Sequence, residues 1–142
     1  LKNIAVGKRP RRFAITPDGS QLWVTNELGS SVSVISTKDH AVIDTIALTL
    51  KGARPEDITP VGVTISRDGK RVYFTNSLYS TWDDQFYPDG VPGAMLMARP
   101  KIGGGIELDR DFCVDFEDGY RAHQVRLEGG DCSTDSFCYP SH

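Results

Sequence analysis

Pro10-Arg11-Arg12-Phe13-Ala14-Ile15-Thr16-Pro17-Asp18-Gly19-Ser20-Gln21-Leu22-Trp23-Val24-Thr25-Asn26 recurs, without a gap, as Pro60-Val61-Gly62-Val63-Thr64-Ile65-Ser66-Arg67-Asp68-Gly69-Lys70-Arg71-Val72-Tyr73-Phe74-Thr75-Asn76. Each copy places apolar residues on both sides of an Asp-Gly pair, the pattern of a strand, a tight turn and a second strand. Gly19 and Gly69 supply the positive φ that such a turn demands. An internal repeat of this kind is the signature of a fold built by juxtaposing similar units.

Outward from the first copy, Glu27-Leu28-Gly29-Ser30 reads as a turn and Ser31-Val32-Ser33-Val34-Ile35-Ser36 alternates polar with apolar residues. Thr37-Lys38-Asp39-His40 turns again, and Ala41-Val42-Ile43-Asp44-Thr45-Ile46 extends once more. Four short antiparallel strands result. A sheet of this kind buries both faces when copies are arranged radially, so the expected fold is all-β, a partial β-propeller of about two to three four-stranded antiparallel blades belonging to a larger ring. Leu22-Trp23-Val24-Thr25-Asn26 and Val72-Tyr73-Phe74-Thr75-Asn76 resemble the YVTN-type propeller repeat. By that resemblance Leu1 to Val6 is expected to be the outer strand of a preceding blade. Propellers close with about four to eight blades, so the expectation is a fragment, an oligomer or a marginally folded unit.

The 142 residues, 39% hydrophobic and 25% charged with a formal net charge of −3, are those of a globular chain. Lys and Arg are scattered except at Lys8-Arg9-Pro10-Arg11-Arg12, read as a solvated loop, so neither nucleic-acid binding nor membrane-surface binding is expected. No apolar run approaches the ~20 residues of a membrane span. Cys113, Cys132 and Cys138 lack the two-residue spacing of a zinc knuckle or redox dithiol; Cys132 and Cys138 are close enough to pair in an oxidising compartment or to remain reduced, and the compartment stays open between periplasm and cytoplasm.

Past Asn76 the regularity stops. Ser77 to Pro88 forms an aromatic, acidic insertion, followed by Ala94-Met95-Leu96-Met97, Gly103-Gly104-Gly105, Phe112-Cys113-Val114-Asp115-Phe116, Ala122-His123-Gln124-Val125-Arg126 and Gly129-Gly130-Asp131-Cys132-Ser133. In this order and over about Pro60 to Tyr139, these segments resemble the C-terminal region of the selenium-binding protein/methanethiol oxidase family. The chain thus divides at 1–59, a YVTN-type blade with the end of a preceding one, and 60–142, a C-terminal blade and tail. The resemblance implies a copper-dependent oxidoreductase that turns methanethiol and oxygen into formaldehyde, hydrogen sulfide and hydrogen peroxide, inactive in this piece alone, with a small thiol or the missing blades as partners. The alternative is a non-catalytic propeller module that presents loops for binding.

Of the three histidines, His123 alone falls on the family motif; it is either a copper ligand or a residue that holds backbone in the closing strand. Copper in a redox enzyme takes several imidazole or thiolate donors, so further ligands would come from elsewhere. Asp131 and Cys132 read either as a turn whose carboxylate caps backbone amides or as a tail site where sulfur or selenium binds. Trp82, Phe86 and Tyr87 read as a hydrophobic plug, Asp83 and Asp84 as no acid–base pair, and Gly103-Gly104-Gly105 as a turn without the helix and lysine of a phosphate loop.

Overall fold

The computed structural model describes residues 2–49, 59–76, 93–102, 105–116 and 120–128. The repeat becomes two four-stranded antiparallel sheets, each in sequential order. The first holds β1 (Pro10–Ile15), β2 (Gln21–Asn26), β3 (Ser31–Ser36) and β4 (Ala41–Ala47), with one turn of 3-10 helix at Glu27–Gly29 between β2 and β3. The second holds β5 (Gly62–Ile65), β6 (Val72–Thr75), β7 (Gly93–Pro100) and β8 (Ile106–Phe116). No α-helix occurs among the described residues, and none is long and apolar enough to cross a membrane. This is the expected partial propeller: β1 and β2 lie against β5 at one edge, and β4 lies against β8 at the other, so the sheets stack face to face.

The Asp-Gly turns are built alike in the two copies. The Thr16 hydroxyl donates to Asp18 Oδ1 at 2.6 Å, and that oxygen also accepts from the Ser20 amide at 3.0 Å. In the second copy the Ser66 hydroxyl donates to Asp68 Oδ1 at 2.6 Å and the Lys70 amide does so at 3.0 Å. The chain reverses at Gly19 and Gly69, whose φ values are +70° and +68°. These bonds favour the charged carboxylate, holding Asp18 and Asp68 below the ordinary aspartate range, with the Thr16 and Ser66 hydroxyls the largest influences.

The core lies between the sheets. Ala14, Trp23, Val32 and Val34 on one face of the first sheet, with Leu48 beyond its end, meet Val63, Ile65, Val72, Phe74, Leu96, Ala98 and Ile106 of the second. The registers Ala14↔Trp23↔Val34 and Phe13↔Val24↔Ser33 explain the division, because alternate residues point to opposite faces. On the other face of the first sheet, Ser33 and Ile35 of β3 are buried, whereas Phe13 and Ile15 of the inner strand are 56% and 50% exposed.

Lys2–Val6 pair with neither of the two described sheets, and Lys2 Nζ donates to the Asp39 carbonyl. One expectation changes. The basic cluster is not a loop, since Pro10–Ile15 is strand β1, paired with β2, and two of its guanidiniums meet a buried carboxylate.

Candidate functional site

The antiparallel order puts Pro10, Asn26, Ser31 and Ala47 at one end of the first sheet, and Gly62, Thr75 and Gly93 at one end of the second. Thr25 fixes these ends beside each other. Its buried hydroxyl accepts from the Arg12 amide at 3.2 Å and lies 3.2 and 3.1 Å from the carbonyls of Arg12 and Val61, the latter just before β5. Thr75, its repeat counterpart, donates to the carbonyl of His123 at 3.2 Å.

The second bond defines where His123 sits. As Thr25 takes the entry of the inner strand of the next sheet, Thr75 takes the entry of segment 120–128, which runs beside β5 as a third inner strand would. The Thr64 hydroxyl adds a longer contact to the Val125 carbonyl at 3.4 Å. Glycine is required at this approach: a Cβ on Gly62 would run into the Thr75 hydroxyl and the His123 carbonyl, and one on Gly93 into the Tyr120 carbonyl. The His123 side chain is exposed. Arg11, Val61 and His123 therefore occupy corresponding positions at the entries of three successive inner segments, and Arg9, Thr59 and Arg121 stand two residues before them.

At the first of these entries lies a cluster that the sequence reading missed. Glu27, in the 3-10 turn after β2, has a side chain only 2% exposed, and its Oε2 lies 2.8 Å from Arg11 Nε and 3.3 Å from Arg9 Nε. Among the described residues no N–H is aimed at that oxygen with hydrogen-bond geometry, so the attraction is ionic. The Glu27 amide also donates to the Arg9 carbonyl at 3.0 Å. Arg9 adopts a left-handed φ of +54°, and the β1–β2 ladder shifts register between Pro10 and Phe13. Gly7 and Gly29 allow the incoming chain to settle on this turn, since a Cβ at Gly7 would strike the Asn26 side chain 2.6 Å away.

The remaining candidates are dispersed. His40 is exposed in the β3–β4 turn with φ +51°, and Cys113 is an exposed free thiol on β8, its pKa raised by burial and then by Asp115. Asp131, Cys132, Cys138, His142, the insertion carrying Trp82, Asp83, Asp84, Phe86 and Tyr87, and Gly103-Gly104 lie outside the described residues. Among the described residues, no group of three or more His, Cys, Asp or Glu side chains could hold a metal ion. A small apolar cleft, with room for about one water molecule, is lined by Leu48, Pro60, Phe74, Ala94 and Leu96 with Thr75 and Asn76; it brings no titratable side chain, so it is a packing void.

Known proteins resemble the chain in the same regions. Residues 42–138 match the family described as 56kDa selenium binding protein. The methanethiol oxidase of Xenopus tropicalis is 47% identical over 83 residues, covering 54% of this chain and 18% of that protein. The methanethiol oxidase of Mus musculus is 39% identical over 114 residues, covering 75% of this chain and 24% of that protein. Among solved structures, a hypothetical selenium-binding protein from Sulfolobus tokodaii superposes with a TM-score of 0.76 at 38% identity, over 92% of this chain and 31% of that one. The chain thus spans about a fifth to a quarter of the length of the curated relatives it matches.

Proposed function

The chain belongs to the 56kDa selenium-binding protein family, and from that membership we propose that it is part of a methanethiol oxidase, in which His123 serves the reacting centre. The overall reaction would consume methanethiol, oxygen and water and release formaldehyde, hydrogen sulfide and hydrogen peroxide, in which carbon gives up electrons and oxygen receives them.

The observation that supports a role for His123 is the hydrogen bond from Thr75 to its carbonyl. That bond fixes the main chain at the entry of an inner segment while the imidazole stays exposed. A ligand needs an anchored backbone on a residue that faces outward. Copper would supply the redox chemistry. The described residues alone do not fit a copper centre, because one imidazole is short of the donors that this metal takes, so no step is derived through it. His123 would be one donor, with the others supplied by the rest of a longer protein. Asp131 and Cys132, in the tail, are the further candidates for binding sulfur or selenium.

The test is oxygen uptake by the full-length protein with methanethiol and supplied copper, together with copper stoichiometry in His123→Ala. The expected result is uptake in the parent, and loss of both activity and about one imidazole's share of copper affinity in the variant. Unchanged stoichiometry and activity in the variant would remove His123 from the site. Absence of uptake in the parent would leave the family's propeller as a binding module.

A further inference from the structure

We propose that Arg9 and Arg11, held by the buried carboxylate of Glu27, form a binding site for a small divalent oxyanion of the sulfate or phosphate type at the entry of the first inner strand.

The charges do not cancel. Two guanidiniums meet one carboxylate, which leaves one net positive charge beside a side chain almost removed from water. Each arginine approaches Glu27 through Nε, and neither guanidinium donates a hydrogen bond with good geometry among the described residues. The two side chains are 52% and 36% exposed, so their planar forks reach the rim of the cluster. Paired guanidiniums match the planar, bidentate geometry of oxyanions better than any other protein group. A cation in the same place would meet repulsion from both.

The second copy of the repeat serves as an internal control. Where the first has Arg9, Arg11 and Glu27, the second has Thr59, Val61 and Ser77, and it folds into the same four-stranded sheet. The fold therefore does not require the charged trio. Burying an ion pair costs desolvation that an apolar replacement avoids, so such a trio contributes little net stability. The backbone is also distorted here, with the left-handed Arg9 and the register shift between Pro10 and Phe13. Strain and ladder irregularity of this kind collect where side chains are re-aimed for binding. At the third entry Arg121 and His123 stand in the places of Arg9 and Arg11.

The proposal is independent of the oxidase reading, and its test contains no copper, thiol or oxygen chemistry. Sodium sulfate is titrated calorimetrically into the full chain at low ionic strength and neutral pH, against sodium chloride at matched ionic strength. Saturable sulfate binding near one per chain is expected, with Arg11→Gln weakening it about tenfold or more. Arg9→Gln should act in the same direction, and Arg110→Gln, on the outer strand β8, should leave it within about twofold. No saturable binding by the parent chain, or equal weakening by Arg110→Gln, would overturn the proposal. Should Arg11→Gln fail to fold, Arg11→Lys keeps the charge and loses the fork; affinity equal to the parent would then count against guanidinium recognition. A thermal midpoint of the parent that rises with sulfate no more than with chloride would do the same without any variant.

Discussion

Replacing Thr25 by Val keeps the shape of the side chain and deletes one hydroxyl from a fully buried position. That hydroxyl accepts from the Arg12 amide and has one proton to share between the carbonyls of Arg12 and Val61. Two hydrogen bonds are lost, at about 1 kcal/mol each, and the stranded amide and carbonyl add about 1 kcal/mol more, giving a total of about 3 kcal/mol. Thr75→Val loses one bond, to the His123 carbonyl in a part-buried position, so about 1 kcal/mol is expected. Urea unfolding of the parent and both variants, followed by far-ultraviolet circular dichroism and tryptophan fluorescence, measures the difference. With a typical urea dependence of about 2 kcal/mol per molar, the midpoint should fall by about 1.5 M for Thr25→Val and about 0.5 M for Thr75→Val. If Thr25→Val proved no more damaging than Thr75→Val, the hydroxyl would not be what fixes one sheet against the next.

Two further perturbations probe other joints. Gly105 has φ +83°, and a Cβ there would run into the Asp44 carboxylate that accepts from the Ile106 amide, so Gly105→Ala should cost about 1–3 kcal/mol by the same urea assay; adding Asp44→Ala should restore only part, since the backbone angle remains unfavourable. Asp18 and Asp68 have folded pKa values lowered from 3.8, so their contribution is present above about pH 4 and lost as pH falls through the folded values. Asp18→Asn with Asp68→Asn should therefore flatten the drop in thermal midpoint between about pH 4 and pH 2, and an unchanged acid slope would contradict it.

The sheets were legible in the sequence because every strand-turn-strand unit carries its own local signal. Asp18-Gly19 and Asp68-Gly69 announce the turns, and the alternation of Ser31-Val32-Ser33-Val34 announces a strand regardless of what it packs against. Strand ends were less legible. β8 begins at Ile106, well before Phe112, because β7 continues to Pro100 and offers it partners, a fact of pairing rather than of composition. The candidate site divides in the same way. His123 was found through a motif, but its place depends on Thr75, 48 residues away, and no local pattern states that bond. Glu27 reads in sequence only as the first residue of the Glu27–Ser30 turn, and nothing in that local pattern shows its burial. The compensating feature was present: two arginines spaced two apart, absent from the second copy at the same positions.

The exposure of Phe13 and Ile15 on the inner strand of the first sheet has a geometric consequence. A blade offers one surface forward and a different one backward, so the contact between neighbours has direction, like links that hook only head to tail. Such contacts do not pair off by twofold symmetry. They terminate when the accumulated rotation returns to its starting point, and otherwise they continue. The exposed apolar edge at Phe13 and Ile15 is what such a directional contact would cover, and the angle between successive blades decides whether the outcome is a closed circle or a growing column.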